Sequence, residues 1–309
     1  MPAPFKNIAV VGATGNLGPH IISALLSHHF AVTVLTRPTS TSTPNFPPAV
    51  RVFRGNYDDP VFLASAFKGI DVVILTVGVE FIPRQGILVE AGAKAGVRRV
   101  VPSEFGSDIT NPIAVNAVPF YKKKADVAEQ IKRLAAVYPT LTWTTFICGP
   151  FYDWCLKLGF YGFDLQNKRA TLYDRGLARF DTTTLSTVGA AVVSVLSTPE
   201  KYANEYVFIN SLTTSQAEML AALKKVSGTD NWSVEERSAQ EYKDGGREKD
   251  NRGDIMGTYD LIFATTFQEG NGADFSRGRL ANEELGLGRE EVEGVTIDVW
   301  NTDRHVVKW

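Results

Sequence analysis

The chain has 309 residues, 44% of them hydrophobic and 21% charged, with a formal net charge of −2. That length supports one large domain, or a domain with an appendage, and the near-neutral balance without a basic stripe excludes nucleic acid as the main partner. No apolar run approaches the roughly 20 residues of a membrane span, and the N-terminus lacks the basic and apolar regions of a signal peptide, so a cytoplasmic monomer or homodimer with no membrane partner is expected.

Residues 8–11 are a short β-branched run, as a buried parallel strand should be, and 19–26 carries apolar residues at helical spacing. Between them stands Gly12-Ala13-Thr14-Gly15-Asn16-Leu17-Gly18, with glycines spaced three apart. It reads as a dinucleotide-binding turn. Gly12 takes the tight turn off the strand, Gly15 lets backbone N–H groups approach a pyrophosphate, and Gly18 lets the helix pack close to the sheet. The helix N-terminus supplies the positive pole.

The second strand, 31–36, ends in Thr36-Arg37, where an NAD site would place Asp or Glu for the ribose 2′-hydroxyl. Arg37 suits a 2′-phosphate instead, held bidentately, and this favours NADPH. The plainer reading of Arg37 is a solvated loop charge. Hydroxyls over 39–43 add further reach towards the phosphate or are loose loop, and 39–48 as a whole reads as a flexible loop, not a linker.

Strands at 50–54, 71–76, 98–101 and 141–147 alternate with helices at 60–67, 85–95 and 121–137, the second of these closed by Gly96. Such alternation requires crossover connections, so residues 1–150 are expected to form an α/β domain, a Rossmann-type doubly wound parallel sheet. Beyond 150 the regularity fades. Helices at 185–196, 215–226 and 254–267 and a strand at 206–209 imply a smaller, irregular substrate-binding lobe over 151–309, with room for segments to return to the first domain. Ligands of such sheets bind outside the carboxyl ends of the strands, so 76–78, 102–106 and 148–151 are expected to line one cleft.

The glycine turn, Thr76-Val77-Gly78, Gln85, Ala95-Gly96-Val97 and above all Val101-Pro102-Ser103-Glu104-Phe105-Gly106-Ser107-Asp108 resemble the isoflavone reductase-like proteins. These atypical short-chain dehydrogenases include phenylcoumaran benzylic ether reductase, pinoresinol-lariciresinol reductase and the NmrA-like proteins, and the resemblance spans roughly residues 5 to 150. Together with the turn it implies NADPH held by Gly12, Thr14, Gly15, Asn16, Leu17, Gly18, Arg37, Asn56, Thr76, Val77, Gly78, Gln85, Ser103, Glu104, Phe105, Lys124, Gly149, Pro150 and Phe151.

The resemblance also implies a catalytic lysine on the helix after the Pro-Ser-Glu-Phe-Gly segment, where this chain reads Phe120-Tyr121-Lys122-Lys123-Lys124-Ala125-Asp126-Val127. Lys124, with an aliphatic residue three further on, fits best; Lys123 is the competing assignment. An amine desolvated in a cleft at a helix start suits general acid/base work, whereas Lys122 and Lys123 read as a solvated face. Typical short-chain dehydrogenases pair a Tyr with a Lys four residues later, and from Tyr121 that position is Ala125. The usual dyad is absent. Chemistry would therefore use the lysine, through a water if needed, which counts against sugar epimerase activity.

The segments Phe151-Tyr152-Asp153-Trp154 and Phe160-Tyr161-Gly162-Phe163 are dense in rings that could stack on an aromatic ligand. Phe105, Phe151, Tyr152, Trp154 and Tyr161 are the candidate substrate residues, although aromatics just after a strand serve equally as core. Cys148 and Cys155 read as small buried hydrophobes, and His20, His28, His29 and His305 lack ligand spacing, so no metal is expected. Two function classes remain. One is an NADPH-dependent reductase of a small aromatic substrate, phenylpropanoid, lignan-like or an aromatic polyketide, with Lys124 moving the proton. The other is an NmrA-like NADP-sensing regulator without turnover, which would need no general acid; the lysine favours the enzyme.

Overall fold

The computed structural model describes residues 4–38, 40, 46–270, 272–275 and 280–302. Thr39, Thr41, Ser42, Thr43 and His305 lie outside them. The chain separates into two units, the first built from residues up to Phe105 with Lys123–Ile147 and Ser186–Val207. The second takes Gly106–Lys122, Cys148–Leu185 and the chain from Phe208 onward. The segment Ser186–Val207, which holds most of the helix expected at 185–196 and the start of the strand expected at 206–209, belongs to the first unit.

The first unit alternates β1 (Asn7–Val11), α1 (Gly18–Ser27), β2 (Ala31–Thr36), β3 (Arg51–Arg54), α2 (Pro60–Ala66), β4 (Val72–Leu75), α3 (Gln85–Lys94) and β5 (Arg99–Val101). After α4 (Pro112–Ala117), in the second unit, come α5 (Pro119–Val137) and β6 (Thr142–Ile147). One sheet of seven strands runs in the order β10-β6-β5-β4-β1-β2-β3, where β10 is Glu205–Phe208. β1 pairs in parallel with β2 and β4, setting Val10 opposite both Val34 and Ile74. Ile8, Val10, Val72 and Ile74 are fully buried, as strands covered on both faces require. This is the Rossmann-like order, and the loops leaving β1 and β4 diverge at its switch point.

The second unit holds α6 (Tyr152–Lys157), β7 (Phe163–Asp164), β8 (Arg169–Tyr173) and β9 (Phe180–Thr182), then, past α7 (Leu185–Ser197), β11 (Leu212–Thr214) and α8 (Gln216–Val226). β12 (Ser233–Arg237), α9 (Ala239–Asn251), α10 (Ile255–Thr266) and α11 (Val292–Asn301) complete it. Its strands form two small sheets, β12-β8-β7 and β11-β9.

An aromatic core fills this unit. Phe160 stacks on Phe263 at 5.2 Å, Tyr161 on Phe180 at 5.6 Å and Tyr173 on Phe267 at 5.4 Å. The candidate substrate residues Tyr152 and Tyr161 stand in this core. Both are completely buried, their hydroxyls bonded to Thr296 (2.6 Å) and Thr182 (2.8 Å), so their rings are walls of the core. Trp154 packs against the same cluster, 5.5 Å from Phe160. Cys148 and Cys155 are buried and unbridged, and burial pushes the Cys155 thiol well up, away from reactive thiolate.

Asp181 on β9 is wholly buried, and that burial raises its carboxyl pKa against the pull of its donors. It accepts from Asn210 (2.5 Å), Thr213 (2.6 Å) and the Phe275 backbone N–H (2.6 Å). Asp181→Ala is expected to lower unfolding stability by about 3 kcal/mol, because these buried donors lose a common acceptor. Urea unfolding measures it; a change under about 0.5 kcal/mol, the range of ordinary surface substitutions, would contradict the clamp.

Candidate active site

The glycine turn is built by steric necessity. Gly12 has φ +85°, and a Cβ there would sit 2.5 Å from the Thr76 carbonyl oxygen, so only glycine turns the chain this tightly against β4. A Cβ at Gly18 would come within 2.3 Å of the Ala13 carbonyl oxygen. Gly15 differs. Its N–H closes the turn on the Gly12 carbonyl at 3.0 Å, but an added Cβ would meet the protein only at ordinary contact distance, 3.4 Å, and Gly15 is exposed. The space beside it is open. Leu17, at the N-cap of α1, makes no side-chain cap bond, so the first-turn N–H groups are left to a ligand or water.

A cavity of about 230 Å³ gathers the loops that the sheet order brings together: Gly12, Ala13, Thr14 and Gly15 from β1, Leu35, Thr36 and Arg37 from β2, and Thr76, Val77 and Gly78 from β4. Ser40, Tyr57 and Phe81 complete the lining, and no carboxylate is among the described residues that form it. Thr76 ties the two strand ends together, its N–H and hydroxyl both donating to the Val11 carbonyl (2.8 and 3.1 Å). Arg37 therefore opens into the same space as the glycine turn. Asn56 does not line it; its side chain accepts from the Asp58 N–H in a local exposed turn.

Tyr57 and Phe81 lay outside the sequence reading. Their rings meet edge to face at 5.5 Å, and the Tyr57 hydroxyl donates to the Leu35 carbonyl at 2.9 Å. Burial pushes the Tyr57 phenol up to about 12, against the pull of the Arg37 charge. Arg84 covers the Phe81 ring, 5.2 Å from its centroid, and pairs with Asp58. An aromatic two residues past a strand loop carries no pattern that separates this role from packing.

Several of the expected ligands brace the loops of the site. Gln85 is buried, its amide nitrogen donating to the Ile82 carbonyl (3.2 Å) and its oxygen accepting from the Ser103 N–H (2.7 Å). Ser103 in turn donates its hydroxyl to the Val77 carbonyl (2.9 Å). The loops after β4 and β5 are thereby joined side by side. Gly149, Pro150 and Phe151 fall in the second unit, where the Gly149 N–H donates to Gly106 and the Pro150 carbonyl accepts from the Thr182 hydroxyl and the Thr183 N–H. Phe151 bridges to Thr183.

On α5 the helical period separates the three lysines. Tyr121, Lys124, Val127, Ala128 and Ile131 form the buried stripe, while Lys122 and Lys123 are exposed. Lys124 is therefore the lysine turned inward, its amine 3.1 Å from Glu104 Oε1 and donating to the Glu104 backbone carbonyl. Phe105, the next residue, takes φ +24° and stacks on Phe146 at 5.7 Å. The Tyr121 hydroxyl is bonded to Ser107.

A model of the NmrA-like family matches residues 4–235. The chain belongs to the NmrA-like family. This NmrA-like chain is 40% identical over 296 residues to the oxidoreductase aprR of Aspergillus flavus, a match covering 94% of this chain and 98% of that one. It is 33% identical over 272 residues to the oxidoreductase poxI of Penicillium oxalicum, covering 87% and 84%. In structure it is similar to leucoanthocyanidin reductase of Vitis vinifera in its binary complex with NADPH, with a TM-score of 0.75, 18% identity and coverage of 96% and 99%. That last likeness shows the shared fold. Among the described residues of the NmrA-like chain no helix is long and apolar enough to cross a membrane, and no His, Cys, Asp and Glu cluster suits a metal ion.

Proposed function

We propose that the chain is an NADPH-dependent oxidoreductase that reduces a small aromatic substrate of phenylpropanoid, lignan-like or aromatic polyketide type, with Lys124 moving the proton. The observation that carries this reading is one cavity combining the glycine turn with Arg37, on the same unit as an inward-turned lysine. Two relatives named oxidoreductases, aligned over most of their length, support it. So does the NADPH complex of the Vitis reductase, which shares the fold.

The residues fit the cofactor. Gly15 leaves room for a pyrophosphate, the N–H groups of the turn and of α1 supply donors, and Arg37 offers a fork of donors to a 2′-phosphate where no carboxylate among the described lining residues would repel it. When bound, NADPH supplies a hydride. Lys124 then serves as the general acid towards an oxygen on which negative charge develops, or as the base for the reverse transfer. Glu104 holds the ammonium while this happens, and the absence of a Tyr four residues before a Lys leaves the proton to the lysine alone.

Cofactor preference tests the phosphate side. The unmodified chain is expected to bind NADPH more tightly than NADH, and Arg37→Ala to weaken NADPH binding roughly tenfold to a hundredfold with little effect on NADH, since a charge-assisted pair to the phosphate is lost. Fluorescence titration with both cofactors reads it. Equal affinities in the unmodified chain would rule the assignment out.

A further inference from the structure

We propose that Glu104 is a positioning residue for the Lys124 ammonium and not a ligand of the cofactor; the inference rests on the reading of Lys124 as the proton-transfer group. Both side chains are nearly sealed from solvent, 5% and 9% exposed; the amine donates to the Glu104 backbone carbonyl and stands 3.1 Å from the carboxylate Oε1 as an ion pair. A buried ammonium is retained in a protein only where an opposite charge and good hydrogen-bond geometry compensate its lost hydration.

The backbone around Glu104 is built to fix that contact. Its N–H donates back to the Pro102 carbonyl at 2.8 Å, a tight turn around Ser103, which is itself fastened to Gln85 and Val77. Phe105 then holds a left-handed backbone conformation that costs energy for a non-glycine residue and is kept in place by its stacking on Phe146. The helix side is equally fixed. The Gln130 side-chain amide of α5, the helix bearing Lys124, lies over Gly86 of α3, 2.2 Å from where a Cβ there would stand. The strained loop thus places the Glu104 carbonyl on the amine and the carboxylate beside it.

Amine labelling tests this without need of a substrate. The chain is treated briefly with acetic anhydride and the acetylation of Lys124 is read by peptide mass spectrometry, with exposed Lys122 and Lys123 as internal standards. Glu104→Gln is expected to raise Lys124 labelling at least about fivefold relative to those neighbours, because an amine without its opposite charge no longer has its burial compensated and is released to solvent. NADPH affinity should stay within about twofold, since Glu104 is assigned no contact with the cofactor. Unchanged labelling would overturn the proposal, as would a tenfold loss of NADPH affinity. Should Glu104→Gln not fold, Glu104→Asp, which keeps the charge but shortens the reach, is expected to raise labelling by a smaller factor, and no rise would again overturn it. Near-normal turnover in Lys124→Ala would instead remove the reading beneath it, an outcome the labelling experiment leaves separate.

Discussion

Lys124→Ala is expected to bind NADPH within a few-fold of the unmodified chain while losing about 10²–10⁴ of its turnover, the usual loss when a positioned general acid or base is removed. The helix supplies the reason for choosing this lysine over its neighbours. Lys124 is in phase with Val127, Ala128 and Ile131 on the buried stripe, whereas Lys122 and Lys123 are exposed. Lys123→Ala should accordingly be almost silent. Because the variant also leaves the Glu104 carboxylate in a buried place without the Lys124 charge, some stability is lost, and thermal unfolding must accompany the kinetics to show that the protein assayed is folded. A parallel fall in NADPH affinity and rate would instead make Lys124 a cofactor-holding group. Near-normal turnover would sink the assignment.

Gly15→Val is expected to abolish measurable NADPH binding while the fold survives. The three glycines of the turn make different demands: side chains at Gly12 and Gly18 would collide with backbone at 2.5 and 2.3 Å, so substitution there damages the chain itself. At Gly15 a Cβ meets only ordinary contact at 3.4 Å, so valine is expected to be tolerated by the protein and to fill the open space where the proposal seats the pyrophosphate. Loss of two charge-assisted N–H contacts of about 1.5–3 kcal/mol each corresponds to roughly two to four powers of ten in affinity. Circular dichroism and cofactor titration on one sample decide it. Retained affinity would mean that the turn serves the fold alone.

Most of the first unit was legible in the sequence because strands buried on both faces read as continuous apolar runs. Val72–Leu75 and Asn7–Val11 fall within a residue or two of where the pattern puts them. The second unit hides its strands for physical reasons. β12 is exposed at every position, Ser233–Arg237, so it shows no alternation, and β7 is two residues long. Both are held by backbone pairing, which leaves no mark on residue type. β9 carries a buried Asp181 where a core strand would be expected to be apolar.

The tight turn at Gly12 and Gly18 and the inward face of Lys124 were legible, where steric need and helical phase constrain the residue. The bracing by Gln85 and Ser103 was not legible, since polar residues that hold two loops together carry no mark of it in the sequence. Nor were the aromatics of 151–163 separable into pocket and core, since a ring has the same composition in either place; Tyr152 and Tyr161 proved to be core. The Glu104 partnership spans 20 residues of sequence and depends on the fold to bring it together.

The reductase reading is tested most directly by hydride tracing. The chain is incubated with NADPH deuterated at the transferable nicotinamide position and a panel of aromatic ketones, lignan-like ethers and aromatic polyketides, and the products are analysed by mass spectrometry. At least one panel member is expected to acquire the deuterium with the unmodified chain and to fail to acquire it with Lys124→Ala. Tight NADPH binding with no deuterium delivered to any member of the panel would contradict the account and point to an NADP-sensing protein without turnover.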